Sequence, residues 1–198
     1  MSLEQILAFY LFALVAAITP GPANVMIAAA GSIRGPVKGL PTALGTALGM
    51  GFLLFAAALG LGGLVAGHPA LMATMKWAGA AVLLWLAWKI ARAGASGPES
   101  EARAVGFLGA ALFQWVNPKA WLVAVSSVGT YLTASAGNGV ATAFLFSLVF
   151  VAAALPSNLV WLLLGAAMQR LLRDARSARA FNVAMGVLLA LSVVMILV

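Results

Sequence analysis

Long apolar runs alternate with short polar gaps along the whole chain. The first run extends from Ile6 to about Ile33 and is broken at Thr19-Pro20-Gly21-Pro22. The second goes from Gly39 to about Val65, and the third runs from the Gly67-His68-Pro69 turn to about Ile90. The longest polar segment, Arg92 to Arg103, has Gly97-Pro98 at its centre. A fourth run begins near Val105, is interrupted at Asn117-Pro118-Lys119 and resumes to about Thr133. After Ala136–Gly139 a fifth run carries Pro156 and reaches about Leu172, and a sixth fills the rest of the chain. A membrane helix uses roughly 20 apolar residues, so the pattern predicts an all-α, polytopic membrane protein of about six spans.

The basic residues fix an orientation. Arg34 and Lys38 lie in the first connection, Lys89, Arg92 and Arg103 around the third, and Arg170, Arg173, Arg176 and Arg179 around the fifth. The second and fourth connections hold neither Lys nor Arg. By the positive-inside rule the odd connections are cytoplasmic and both termini lie outside. The first run lacks a basic leader segment, so it reads as a span and not as a cleaved signal peptide. The chain is expected to be one transmembrane domain, 1–198, in two halves of about 1–92 and 104–198 joined by a cytoplasmic connector, 93–103. Three spans per half make the halves inverted. The breaks fall late in span one and midway through span four, the first spans of each half. Interrupted helices in corresponding places of inverted halves point to a transporter's midplane site.

Composition narrows the chemistry. Of the 198 residues, 64% are hydrophobic and 8% charged, and mean hydropathy is +1.10, far from the profile of a soluble enzyme. With no cysteine, disulfides, thiolate metal sites and thiol redox chemistry are excluded. One histidine, His68, and four scattered acids (Glu4, Glu99, Glu101, Asp174) argue against a hydrolase or a metalloenzyme, and no cofactor is expected. The net charge of +7 is spread over connections, as topology signals are, so no nucleic-acid partner is expected.

Two constellations carry the candidate chemistry. Pro20 and Pro22 lack N–H groups, and Gly21 between them frees the backbone, so the helix breaks at membrane depth. Freed carbonyls there need partners. The half-helix starting near Pro22 presents free N–H groups and partial positive charge to a substrate carboxylate, with Thr19 and Asn24 as polar partners. In the second constellation Gln114 and Asn117 share a helix face, Pro118 frees the Gln114 carbonyl, and Lys119 has about a dozen apolar residues on either side. An ammonium at that depth belongs in a cavity.

A Thr-Pro-Gly-Pro-x-Asn break in the first span, an Asn-Pro-Lys-Ala break in the fourth, six spans and this length resemble the LysE/RhtB family of bacterial amino-acid exporters along the whole chain. The resemblance implies proton-driven efflux of amino acids or close derivatives across the cytoplasmic membrane, with Thr19–Pro22, Asn24 and Asn117–Lys119 as family-matching positions.

Substrate charge is read from the residues. No acid lies inside an apolar run, and the inward candidates of the second run are Gly45, Thr46 and Gly49, which predicts a neutral amino acid or derivative. Lys119 is the expected proton-coupling group, alternating between substrate carboxylate and proton exchange. Lys76 snorkels outward, and His68 is a solvated turn residue. Asn158, in Pro156-Ser157-Asn158, reads equally as a site residue or as a satisfied polar group beside a kink. Gly45-x-x-x-Gly49 permits close helix packing, within the chain before any homodimer. Trp77, Trp85 and Trp88 suit an interfacial belt, and the Arg170–Arg179 cluster suits anionic lipid headgroups. Exporters of other small amines or organic acids, membrane-embedded enzymes and channels are the competing classes.

Overall fold

A computed structural model describes residues 1–92, 104–132, 139–171 and 175–197. The connector 93–103, with Gly97-Pro98, Glu99, Glu101 and Arg103, lies outside the described residues, as do Ala136, Arg173 and Asp174. Every element among the described residues is helical. They are α1 (Leu3–Ile18), α2 (Pro22–Ala56), a π-helical turn (Ala57–Leu61), α3 (Gly62–Ala66), α4 (Pro69–Ala91), α5 (Phe107–Val116), α6 (Pro118–Ser127), a second π-helical turn (Val128–Leu132), α7 (Val140–Leu171) and α8 (Ala175–Leu197).

Prolines set most of the helix starts. Pro22, Pro69 and Pro118 each take a first helical position, where the missing N–H costs nothing and the fixed φ suits the helix. α1 starts instead on a capping box. The Ser2 hydroxyl accepts from Gln5 N (3.2 Å), and Ser2 N donates to the Gln5 side chain (2.9 Å). It ends at Thr19, in extended backbone, where the prolines forbid continuation.

Two stretches, Pro22–Val65 and Val140–Met168, are each long and apolar enough to cross a bilayer, and Leu3–Ile18, Phe107–Val116 and Arg179–Leu191 are shorter apolar helices. The expected basic loop Arg34–Lys38 is reduced to a corner at one non-helical residue. Gly35 has φ 74°, a left-handed backbone that glycine adopts without a Cβ penalty. Arg34 bonds to the chain itself. It donates to the carbonyls of Ala104 (2.8 Å) and Val105 (3.4 Å), and the Thr42 hydroxyl also donates to Val105 O. The corner of α2 thus pins the entry into α5.

Helices cross at glycines. A Cβ on Gly165 would sit 1.9 Å from the Ala28 carbonyl oxygen, one on Gly31 2.2 Å from Leu162 O, and one on Gly45 2.1 Å from Phe107 O. Gly49 meets Ala111 in the same way. The Gly45/Gly49 pair is therefore consumed inside the chain, between α2 and α5, and a second copy would need another face.

Two large apolar clusters form most of the core. One gathers Phe9, Leu53, Leu54, Trp121, Phe146 and Phe150, with Phe9 and Phe146 stacked at 3.9 Å between centroids and 13° between planes. The other gathers Met26, Leu83, Leu86, Phe113 and Leu189 from α2, α4, α5 and α8. Trp77, Trp85 and Trp88 are exposed. Lys89 lies 4.7 Å over the Trp85 ring and Arg92 4.7 Å over Trp88, one helical turn apart in each case.

Candidate functional site

A cavity of about 60 Å³ lies where the two apolar clusters meet. Seven of the residues singled out from the sequence line it: Gly21, Asn24, Thr46, Gln114, Asn117, Lys119 and Asn158. Met50, Phe150 and Ala154 supply the apolar wall, and no carboxylate is among the lining residues. The space holds a few water molecules. It is far smaller than the several hundred Å³ of a site enclosing a ligand. Among the described residues no group of His, Asp or Glu is arranged to hold a metal.

The first break supplies acceptors. α1 ends with carbonyls that have no intrahelical partner, and donors from three other elements meet them. Asn24 Nδ2, on α2, donates to Ala17 O (2.9 Å) and Thr19 O (2.8 Å). Lys119 Nζ, on α6, donates to Thr19 O (2.8 Å) and Pro20 O (3.4 Å). Trp161 Nε1, on α7, donates to Ile18 O (3.1 Å). The C-terminal end of a helix carries partial negative charge, so an ammonium is the complementary group there.

The second break is closed locally. Asn117 caps α6, its side chain accepting from Lys119 N (3.2 Å). The Gln114 carbonyl, expected to be freed by Pro118, accepts from Asn117 N (3.3 Å). Gln114 Nε2 turns back to Ala110 O (3.0 Å), and Trp121 Nε1 reaches Trp115 O (2.8 Å). The two breaks lie side by side, joined by Lys119. The first is not late in a span that stops at a loop. It separates α1 from a piece of comparable length that continues to the Gly35 corner.

Not all of the expected residues face the cavity. The Thr19 hydroxyl donates to Val15 O on its own helix (2.6 Å), and Thr19 and Pro20 are exposed. Their carbonyls, not the Thr19 side chain, receive the donors at the break. Pro22 is buried at the start of α2 and Pro118 is half-buried at the start of α6, where both shape the backbone. The N-terminus of α2 has no side-chain cap. The φ of Gly21, −174°, is ordinary extended backbone, so what a side chain there would meet is Lys119. A Cβ there would come 3.0 Å from both Cδ and Nζ of Lys119.

Asn158 joins the site by linking α7 to α2, its Nδ2 donating to Ala43 O (3.0 Å), while the Thr46 hydroxyl donates to Thr42 O within α2 (2.9 Å). Sequence reasoning missed Trp161. It lies three positions after Asn158, on the same helix face, and that spacing was the available signal. His68 is exposed, with Nδ1 2.7 Å from Leu64 O, and Lys76 is half-exposed on α4. Neither lines the cavity.

A family model described as LysE type translocator matches residues 14–198. The chain is 29% identical over 185 residues to proteins named cysteine/O-acetylserine efflux protein from Salmonella typhimurium and from Escherichia coli K12, with 92% of this chain and 92% of each relative covered. A protein of the same name from Shigella flexneri matches equally. No solved structure matches the chain.

Proposed function

The chain belongs to the LysE type translocator family, and we propose that it is a proton-coupled secondary transporter exporting neutral amino acids, cysteine and O-acetylserine foremost, across a bacterial cytoplasmic membrane. The observation that carries this reading is the cavity. It is built from both broken helices, contains one ammonium group and no carboxylate, and so suits a carboxylate-bearing substrate without a second positive charge. The names of the relatives, cysteine/O-acetylserine efflux proteins, favour small neutral substrates of this kind.

The packing supports inverted halves and six spans. α1 packs on α7 and α5 packs on α2, the first helix of each half against the middle helix of the other, while α2 pairs with α7 and α4 with α8. With both termini outside, the Phe9–Phe146 stack lies toward the outer side of the membrane from the cavity, and the Arg34 clamp on Ala104 lies at the cytoplasmic side. Anionic lipid headgroups are the partners we assign to the basic residues from Arg170 to Arg179.

In this reading Lys119 pairs with the substrate carboxylate in one state and exchanges a proton in another. Counterflow in proteoliposomes tests it. Labelled cysteine or O-acetylserine should enter vesicles loaded with the same compound, respond to an imposed pH gradient, and fail to enter with Lys119→Ala. Full proton-coupled flux through Lys119→Met would remove the coupling role, and preferential flux of lysine or arginine would overturn the neutral-substrate reading.

A further inference from the structure

Of the charged side chains in the described structure, Lys119 alone lines the cavity, yet its ammonium points at no anion. It rests on the Thr19 and Pro20 carbonyls, at 2.8 and 3.4 Å. Those carbonyls terminate α1, whose last turn concentrates acceptors with partial negative charge. Asn24 donates to the Thr19 and Ala17 carbonyls and Trp161 to the Ile18 carbonyl, so α2 and α7 also hold this end of α1 in place. A lysine ε-ammonium and an amino acid's α-ammonium are the same kind of group, a compact charge with three donors.

We propose that the Thr19 and Pro20 carbonyls form the subsite for the substrate's α-ammonium, and that Lys119 is a tethered stand-in which occupies it when no substrate is bound. This deepens the transport reading and rests on the cavity being the substrate site. An arriving amino acid exchanges with Lys119: its ammonium takes the carbonyls, and the released lysine pairs with the carboxylate that the same molecule brings. Gly21 borders both positions, and its lack of a Cβ leaves the lysine room to move.

Charge accounting then sets specificity. With no carboxylate lining the cavity, the helix end balances about half a charge and does not hold two ammonium groups. A simple amine is refused because it displaces Lys119 and offers that lysine nothing in return. A simple acid is refused because it cannot use the carbonyls. A zwitterion satisfies both groups at once, so Lys119 acts as a filter that demands a carboxylate of any amine entering.

Binding to the purified full-length protein, by calorimetry in detergent, separates these cases. The probes are cysteine, cysteamine (no carboxylate) and N-acetylcysteine (no ammonium). The proteins are wild type, Lys119→Met and Lys119→Gln, each checked by size-exclusion profile and unfolding midpoint. Cysteamine should bind Lys119→Met about tenfold or more tightly than wild type, the gain expected from vacating a charge-assisted bond worth roughly 1.4 kcal/mol or more. Lys119→Gln, a neutral donor, should fall between, and serves alone if the methionine variant does not fold. N-acetylcysteine should bind none of them. Cysteamine binding that is unchanged or weaker in both variants overturns the subsite. Wild type that ignores cysteine while the variants still gain cysteamine would overturn the substrate assignment and leave the carbonyl subsite standing.

Discussion

The two helix breaks answer the same physical problem in opposite ways. At the first, between α1 and α2, the orphan carbonyls are met by side chains from α2, α6 and α7. At the second, between α5 and α6, the partners come from the break's own neighbours, with Asn117 capping α6 and Gln114 bonding back to Ala110. A break satisfied locally is a fixed joint, whereas one satisfied in part by distant helices, here α6 and α7, keeps its conformation only while those helices stay put. The second break therefore presents Lys119 from a rigid mount, and the first registers the position of everything around it.

Substitutions can break that contrast. Asn24→Ala should have the largest effect, because it strips one donor from two part-buried acceptors, Ala17 O and Thr19 O. At about 1–3 kcal/mol per unsatisfied group, it should lower the unfolding midpoint in detergent clearly and abolish counterflow. Gly21→Ala comes next. Its Cβ would come 3.0 Å from Cδ and Nζ of Lys119, so the lysine must shift by a few tenths of an ångström, and weakening its charge-assisted bond, worth about 1.5 kcal/mol in full, predicts a drop in flux of up to roughly tenfold with near-normal stability. Asn117→Ala should cost about 1 kcal/mol, the worth of a helix cap, while Asn117→Asp, which still caps, should unfold near wild type. Trp161→Phe removes a single bond to Ile18 O and should cost about 1 kcal/mol or less. If Asn117→Ala proved more damaging than Asn24→Ala in the same unfolding assay, the distinction between a fixed and a dependent break would fail.

What could be read from the sequence follows from this same contrast. Pro22, Pro69 and Pro118 announced their helix starts, because a missing N–H acts on its own neighbours. The cavity's polar set was visible because Asn24, Thr46, Gln114 and Asn158 are uncommon residues in apolar runs, each needing a partner. The partners themselves were not visible. Nothing local tells that Asn24 reaches back to Ala17, that Trp161 serves α1, or that Arg34 clamps Ala104 instead of standing in a loop. Thr19 misled because a hydroxyl in a helix's last turn finds the nearer carbonyl, that of Val15, before it finds a substrate.

The glycine crossings have a mechanical consequence. Where Gly165 meets Ala28, Gly31 meets Leu162 and Gly45 meets Phe107, backbone touches backbone with no side chain between. Interlocked side chains act as gear teeth, and a helix must climb over them to turn. A bare contact works as a pivot. It holds two helices at a fixed separation while letting one swivel against the other. For the proposed carrier, whose cavity must widen to admit cargo, these three points are the bearings on which α2 can turn against α7 and α5.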